Sequence, residues 1–368
     1  MHKDGNTTNL LGLTESGLEA FFADIGEKRF RARQLLAWMH RRGVDRFDAM
    51  TDLSLTLRSR LERIAEVRLP PVIAERRSAD GTVKWLFSAA AGQAVEAVFI
   101  PEPARGTLCI SSQVGCALDC AFCATGAQGF NRNLTTAEII GQVCHANRTL
   151  PRRANGEPAV TNVVFMGMGE PLANYRQVVP ALELLLSDRA YGLSRRRVTV
   201  STSGLVPWIE RLGQECNVSL AVSLHAPDDE LRNRLVPINR IHPIAELLDA
   251  CWRYASRHAG RFITFEYVML AGVNDSEAQA EQLARLLVNR PAKVNLIPFN
   301  PFPGTRFRRS PPEAVAAFQD RLRRHGLVTT VRRTRGDDID AACGQLAGKV
   351  SDRIRTRLSE KNPKVATA

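Results

Sequence analysis

Apolar side chains recur at helical spacing throughout residues 12–68. The segment Thr14-Glu15-Ser16-Gly17-Leu18 has the composition of a helix start. Two apolar stripes follow it, formed by Leu35, Leu36, Trp38 and Met39 and by Leu53, Leu55, Leu57, Leu61 and Ile64. Pro70-Pro71 then ends the pattern, because proline lacks the backbone N–H that a helix needs. The first part of the chain is therefore predicted to be helical.

Strand-forming residues follow the two prolines in three short runs, over 72–77, 83–88 and 94–100. Asp80-Gly81 and Ala91-Gly92 separate these runs and are typical turn pairs. A β-meander is therefore predicted. We assign it, together with the helices, to a small accessory domain over residues 1–95.

From residue 105 onward, strand-like and helix-like patterns alternate. The strand-like runs are 108–113, 160–166, 197–202, 218–224, 262–269 and 293–298. The helix-like runs are 136–148, 175–186, 206–213, 244–255 and 277–287, and a last helix and strand follow at 312–325 and 328–332. Six strand–helix repeats predict an α/β fold with a parallel sheet and helices outside it. We expect functional residues at the C-terminal strand ends of this catalytic domain, 96–350, and a polar tail over 351–368.

Three cysteines stand in the run Cys116-Ala-Leu-Asp-Cys120-Ala-Phe-Cys123. Thiolates at this CxxxCxxC spacing can hold three irons of a 4Fe–4S cluster and leave the fourth iron open to another ligand. A zinc site would want a fourth Cys or His at the usual spacing, and a disulfide framework is unusual in a chain of this length. The run resembles the signature of radical S-adenosylmethionine (SAM) enzymes. That resemblance implies one 4Fe–4S cluster, SAM as a cofactor and a partial (β/α)6 barrel.

The chain has 368 residues, which is enough for one large core and an appended domain. Hydrophobic residues make up 44%, and no apolar run approaches the length of a membrane span. Residues 1–11 are polar and lack the apolar core of a signal peptide. We therefore expect a cytoplasmic protein with no membrane partner.

The net charge of +12 is relevant to the kind of partner that the protein binds. Arginines cluster at 195–197, 308–309, 321–324 and 332–335. Such an excess suits a polyanion, whose phosphates attract it in a salt-dependent way. Simple solubility or a genomic bias toward arginine explains the charge equally well, so charge by itself leaves both interpretations open.

Small and polar residues close four of the predicted strands. In Met166-Gly-Met-Gly-Glu-Pro171, Gly169 allows a close backbone approach and Glu170 offers a carboxylate to an ammonium group. Hydroxyl residues close the next two strands, although such residues are more often caps or turns than ligand contacts. The resemblance to radical SAM enzymes implies that seven residues bind SAM: Gly169, Glu170, Ser201, Ser223, Leu224, His225 and Asn300.

Two further cysteines are candidates for chemistry. Cys109 precedes the cluster run on the first strand of the alternating pattern, and Cys343 lies in a polar segment near the end of the chain. The remaining three, which fit ordinary buried positions, are Cys144, Cys216 and Cys251. Cys109 and Cys343, the cluster run and the segments MGMGEP, SLHAP (223–227) and IPFNP (297–301) are similar to those of the RlmN-type RNA methyltransferases. The similarity extends over nearly the whole chain.

This resemblance implies a mechanism that uses two SAM molecules per turnover. Cys343 takes a methyl group from the first, and a 5′-deoxyadenosyl radical from the second activates that methyl group for addition to carbon 2 of an adenosine. Glu96 then removes the carbon 2 proton, and Cys109 releases the product by forming a disulfide with Cys343. The alternating pattern around Glu96 by itself favours an exposed position on an edge strand.

The same resemblance implies 23S rRNA as a substrate, tRNA as a second substrate, an electron donor such as flavodoxin or ferredoxin, and a monomeric enzyme. Three alternatives stay open. A related class methylates carbon 8 of the same adenosine and shares the cysteines. A radical SAM activase acting on a protein would need neither Cys343 nor a basic surface, and a zinc-stabilised RNA-binding module is the non-enzymatic alternative.

Overall fold

A computed structural model of the chain describes residues 7–257 and 260–348. The predicted polar tail, 351–368, lies outside the described residues. The N-terminal part is helical, as predicted. Its helices are α1 (Glu15–Asp24), α2 (Arg31–Leu36), which continues into a π-helical turn (Ala37–Arg41), and α3 (Leu55–Ile64). Two short strands, β1 (Thr8–Asn9) and β2 (Ala65–Glu66), pair in parallel and join the beginning of this part to its end.

The predicted apolar stripe included Leu55, and the structure shows that this residue does not belong to it. Leu57 and Leu61 are buried on one face of α3, whereas Leu55 is 73% exposed. Ser54 caps the helix by accepting the Leu57 N–H, which makes Leu55 the first helical residue. A residue two positions before Leu57 lies on the opposite face at 3.6 residues per turn, so Leu55 points to solvent.

A ten-stranded sheet is the centre of the molecule. It begins with the antiparallel strands β3 (Val72–Arg77), β4 (Val83–Ala89), β5 (Gln93–Glu102) and β6 (Arg105–Cys109). A separate antiparallel hairpin follows, made of β7 (Gln113–Gly115) and β8 (Phe130–Asn133). The predicted strand 108–113 therefore ends at Cys109, because the chain leaves the sheet there to enter the hairpin.

The rest of the sheet is parallel. Its strands are β9 (Asn162–Phe165), β10 (Val198–Thr202), β11 (Ser219–Ser223), β12 (Ile263–Met269), β13 (Ala292–Pro298) and β14 (Val328–Val331). The spatial order is β14-β13-β12-β11-β10-β9-β6-β5-β4-β3, so the meander extends the parallel sheet beyond β6. The parallel strands all follow the direction of β6, which brings their C-terminal ends to one edge.

Helices connect the parallel strands. They are α4 (Ala124–Ala127), α5 (Thr136–Thr149), α6 (Tyr175–Leu186), α7 (Val206–Glu215), α8 (Asp229–Leu235), α9 (Ile244–Ser256), α10 (Glu277–Leu287) and α11 (Pro312–Arg324). The short helices α4 and α8 were absent from the sequence prediction. The longer helices pack in pairs outside the sheet, with α5 against α6, α7 against α9 and α10 against α11. The predicted α/β alternation is confirmed.

Candidate active site

The cysteine run forms the loop between β7 and α4. Its entry is fixed by Gly115, which has a φ of 79° and where a Cβ would overlap the carbonyl of Gly129. The N–H of Cys116 donates to that same carbonyl at 2.8 Å. The loop is thereby tied to the far side of α4, and its three thiols are held within a single tight turn of chain.

The three thiols lie close enough to affect one another's ionisation. Burial, followed by the neighbouring Cys123, raises the pKa of Cys120 to about 12. Burial and then Cys120 likewise raise the pKa of Cys116. Within the described residues, no three Cys, His, Asp or Glu side chains converge on a point where they could hold one metal ion. A cubane cluster does not require such a point, because each thiolate binds a different iron, and this donor set fits a 4Fe–4S cluster.

The Met166–Pro171 segment lies beside this loop at the end of β9. Gly169 has a φ of 97°, and a Cβ there would come within 2.5 Å of the Gln113 side chain. The carboxylate of Glu170 accepts the N–H of Ser203 at 2.8 Å and that of Leu172 at 3.0 Å. Burial raises the pKa of Glu170 to about 7. Both oxygens of Glu170 are therefore already engaged with backbone amides.

A cavity of about 160 Å³ opens at the C-terminal strand ends. It brings together eight of the predicted site residues: Cys123, Gly169, Glu170, Ser201, Ser223, His225, Asn300 and Cys343. The side chain of Leu224 is instead fully buried. Its backbone is held in place between Ser223 and His225, since its N–H donates to the Glu266 carbonyl and its own carbonyl accepts from Arg232.

His225 enters this cavity as a neutral imidazole. Its Nδ1 accepts the N–H of Val268 at 3.0 Å, which leaves the proton on Nε2. Burial, followed by the charge of Arg232, lowers the pKa of His225 to about 3. The ring of Phe122, from the cysteine loop, meets the imidazole edge to face at 4.5 Å. His225 has a φ of 61°, an uncommon conformation for a residue with a side chain.

Residues 341–348, which we call the Cys343 strap, cross the mouth of the cysteine loop. The strap is held by hydrogen bonds from the Ala124 N–H to Gly344 O (2.9 Å), Thr125 Oγ1 to Leu346 O (2.6 Å), Gln128 Nε2 to Ala347 O (2.9 Å), Asn300 Nδ2 to Cys343 O (3.2 Å) and Ala347 N–H to Glu96 Oε2 (3.1 Å). Two predicted site residues, Asn300 and Glu96, therefore position the segment that carries a third.

Cys109 lies next to the strap but outside the cavity wall. It ends β6 between β5 and β9 and is 5% exposed. Burial, with a smaller contribution from Cys343, raises the pKa of Cys109 to about 12. Both Cys109 and Cys343 are free thiols, so the predicted disulfide between them is not formed in this structure.

Glu96 occupies a different position from the one that its sequence pattern favours. It lies on β5, an interior strand between β4 and β6, and its side chain is only 12% exposed. Lys84 on β4 forms an ion pair with it at 3.1 Å. The prediction of an exposed edge position is wrong, because β3 and β4 cover that side of β5. Glu96 lines a larger cavity of about 530 Å³ on the other side of the strap, together with Arg76 and Phe302.

Three charged residues of the site were not predicted. Arg332 follows β14 and lines the cavity, where Cys343 is the main cause that raises its pKa. Glu266 lies on β12, and burial raises its pKa. Arg232 on α8 is fully buried behind the cysteine loop. Glu266 could have been recognised from the sequence, because it is an acidic residue within an otherwise apolar strand. Arg332 was considered only as one member of a basic cluster.

Comparison with known proteins agrees with this geometry. Two family profiles match the chain: one described as the ribosomal RNA large subunit methyltransferase N-terminal domain, over residues 8–67, and one described as the radical SAM superfamily, over residues 110–284. The dual-specificity RNA methyltransferase RlmN of Marinobacter nauticus is 58% identical over 349 residues, 94% of each chain. The chain belongs to the RlmN family. It is thus an RNA methyltransferase of the radical SAM superfamily, as predicted.

A solved structure supports the same placement. The crystal structure of a radical SAM methyltransferase from Sphaerobacter thermophilus is 48% identical, with a TM-score of 0.86. The match covers 92% of this chain and 99% of the other. Membership of the RlmN family implies a 4Fe–4S cluster and SAM as cofactors. Among the described residues, no helix is long and apolar enough to cross a membrane.

Proposed function

We propose that this protein methylates carbon 2 of an adenosine in 23S rRNA and of an adenosine in tRNA. The observation that carries the proposal is the Cys343 strap, which holds a free thiol at the same cavity as the cysteine loop and the polar strand ends. The relative from Marinobacter nauticus is named a dual-specificity RNA methyltransferase, which supports two RNA substrates.

A radical route suits the proposed target atom. Carbon 2 of adenine lies between two ring nitrogens and is electron-poor, so an electrophilic methyl donor has no nucleophile to react with there. Cys116, Cys120 and Cys123 would hold the 4Fe–4S cluster, which when bound supplies the electron that cleaves SAM to a 5′-deoxyadenosyl radical. The chain's own contribution is to bind and orient the reactants and to carry the methyl group on a thiol.

Cys343 is the proposed methyl carrier. Its thiolate attacks the methyl carbon of a first SAM molecule, so that the S–CH3 bond forms as the methyl–sulfonium bond breaks and S-adenosylhomocysteine leaves. Burial raises the pKa of Cys343, and the guanidinium of Arg332 opposes that rise. Arg332 therefore favours the thiolate that the displacement needs. The second SAM molecule binds at the strand ends and is the source of the radical, so each turnover uses two SAM molecules.

Glu96 and Cys109 complete the proposed cycle. Glu96 takes the proton that leaves carbon 2, and its hydrogen bond to the Ala347 N–H ties its position to that of the strap. Cys109 then attacks the sulfur of Cys343, so that the Cys109–Cys343 bond forms as the bond between Cys343 and the transferred carbon breaks. The released carbon takes up a proton to become the methyl group of the RNA, and the one electron left over would return to the cluster that the three cysteines would hold. Two electrons from a donor such as flavodoxin or ferredoxin restore both thiols.

We propose that residues 1–95 bind the RNA and that residues 96–350 carry out the chemistry. Arg42 stacks on Trp38 at 4.0 Å and Arg31 on Phe30 at 4.7 Å, which gives the helical part the basic and aromatic side chains that suit RNA. The target base must leave its stack to reach Cys343. We propose that the enzyme is a monomer and that it acts in the cytoplasm.

The test is methylation of 23S rRNA and tRNA by the anaerobically reconstituted protein, read out by mass spectrometry of the digested RNA. We expect 2-methyladenosine in both RNAs from the wild type and none from Cys343→Ala. Cys216→Ala is the matched control and should retain activity, because Cys216 lies away from the cavity. The product 8-methyladenosine, or unchanged RNA together with a radical on a protein partner, would contradict the proposal.

A further inference from the structure

Arg232 is a buried cation whose hydrogen-bond partners are all neutral. Its side chain is 0% exposed. Its guanidinium donates to the Leu224 carbonyl (3.1 Å), the Ser223 carbonyl (3.0 Å), the Ser203 carbonyl (2.7 Å) and Asn239 Oδ1 (2.8 Å). These bonds hold the ends of β10 and β11 against α8. They engage all three nitrogens of the guanidinium but do not neutralise its charge.

No carboxylate within the described part of the chain forms an ion pair with Arg232. Asp229, on the same helix, instead accepts hydrogen bonds from Asn239 and from the Ile244 N–H. Burying a charge without an opposite charge is costly, because hydrogen bonds to neutral groups replace only part of the solvation that water supplied. A neutral side-chain amide would bond to carbonyls at less cost, so clamping two strand ends does not explain a guanidinium at this position.

The cysteine loop lies where it can supply the negative charge that Arg232 lacks. Ser203 connects the two groups: its carbonyl accepts from Arg232, and its Oγ lies 3.9 Å from the sulfur of Cys120. Among the neighbours of Arg232, Cys120 is the strongest in favouring its charged form. Glu170, which accepts the Ser203 N–H, also lies beside Cys120 and raises the pKa of that thiol rather than lowering it. Arg232 is therefore the cation that faces Cys120.

We propose that Arg232 is the fixed counter-charge of the iron–sulfur cluster and raises its reduction potential. The inference rests on the part of the proposed function that places a cluster on Cys116, Cys120 and Cys123. Three thiolate ligands make the oxidised cluster anionic, and one-electron reduction adds a further negative charge. A buried cation nearby stabilises the reduced state more than the oxidised state, since net charge is one of the determinants of cluster potential.

The experiment is an anaerobic redox titration of the reconstituted protein with a low-potential chemical reductant, followed by electron paramagnetic resonance of the reduced cluster. Iron and sulfide per chain are measured on the same samples. Arg232→Gln removes the charge and keeps a donor, whereas Arg232→Lys keeps the charge and loses most of the clamp. Arg234→Gln is the matched control, because Arg234 lies on the exposed face of the same helix.

We expect Arg232→Gln to lower the equilibrium constant for cluster reduction at least tenfold, which corresponds to about 59 mV for a one-electron couple. Arg232→Lys and Arg234→Gln should stay within a small fraction of that shift. A cluster-loaded Arg232→Gln protein with the wild-type potential would overturn the inference and leave Arg232 a purely structural clamp.

If Arg232→Gln does not fold, Arg232→Met is the second neutral variant and Arg232→Lys is its charge-keeping counterpart. A tenfold loss in the same constant for loaded Arg232→Met, with an unchanged constant for Arg232→Lys, supports the inference. A wild-type constant for loaded Arg232→Met, or a tenfold loss for Arg232→Lys, overturns it. No RNA is present in these measurements. Failure of the proposed methylation and failure of this inference are therefore distinguishable.

Discussion

The thiols of the site are controlled by their immediate charged neighbours. Burial raises the pKa of both Cys109 and Cys343, which favours protonated sulfur in the free protein. Arg332 lies at the same cavity and opposes this effect on Cys343. Glu266, which lines the same cavity, adds to the rise. One guanidinium and one carboxylate therefore act in opposite directions on a thiol whose pKa burial has already raised.

Replacing Arg332 by Gln should slow methyl transfer from SAM to Cys343 about tenfold near neutral pH, because without the guanidinium the pKa of Cys343 rises further and less of the thiol is ionised. The deficit should shrink as pH rises, because more of the variant's thiol then ionises. The measurement is the rate at which the Cys343 peptide gains a methyl group, followed by mass spectrometry across a pH series. Arg324→Gln, an exposed replacement on α11, is the control. A pH-independent deficit would mean that Arg332 acts only by packing.

At the scale of elements, the Cys343 strap is held mainly by α4 and by the residue that caps its C-terminal end. Ala124, Thr125 and Gln128 donate three of its hydrogen bonds. The helix that follows Cys123 therefore also positions the segment that carries Cys343.

Thr125→Val should loosen the strap. Thr125 is buried and donates to the Leu346 carbonyl at 2.6 Å, and valine has the same shape without the donor. We expect a loss of about 1 kcal/mol of local stability, seen as faster amide hydrogen exchange at residues 344–348. Thr149→Val, at the exposed end of α5, removes a similar bond far from the strap and is the control. Unchanged exchange in the strap would contradict its dependence on α4.

At the scale of the whole molecule, a buried histidine joins the helical part to the α/β part. His40, in the π-helical turn after α2, lies 3.2 Å from the hydroxyl of Tyr191, which follows α6. Arg148 on α5 adds an ion pair to Asp45 at 2.8 Å. Burial lowers the pKa of His40 to about 3, so the imidazole is neutral in the folded protein. The contact between the two parts is therefore sensitive to acid.

The stability of the folded protein should fall as pH drops below about 6.5, the ordinary pKa of histidine. In this range the unfolded chain binds a proton at His40, whereas the folded chain binds it only near pH 3. By linkage His40 accounts for about 2 kcal/mol of loss between pH 7 and pH 5. Thermal unfolding of wild type and His40→Phe at both pH values measures this difference. His325→Gln is the surface control, and an equally steep pH dependence in His40→Phe would contradict the assignment.

The net charge of +12 also acts on the whole molecule. Replacing the exposed Arg41 and Arg42 by Gln should weaken RNA binding and flatten its salt dependence by about 0.7–0.9 for each phosphate that the variant no longer neutralises. SAM cleavage without RNA should stay unchanged. Binding isotherms over a salt series measure the slope, with Arg285→Gln as the control, since Arg285 is already paired with Glu281. An unchanged slope would show that this helical surface does not bind RNA.

The sequence by itself determined the elements and the kind of chemistry. Helical and strand periods depend on spacing along the chain, so α1, α3 and the six strand–helix repeats were predictable. The cysteine loop was predictable for the same reason, because its three ligands are close in sequence. The strand-end residues followed from topology, since parallel strands end at one edge whatever their side chains are.

Only the tertiary structure decided which distant residues meet. Leu55 turned out exposed because the helix start fixed its face, and Glu96 turned out interior because β3 and β4 extend the sheet on its far side. Arg232 and Arg332 carry ordinary sequence contexts, and their charges matter only beside Cys120 and Cys343. The reason is physical: the energy of a charge depends on burial and on neighbours far away in sequence, which no local pattern records.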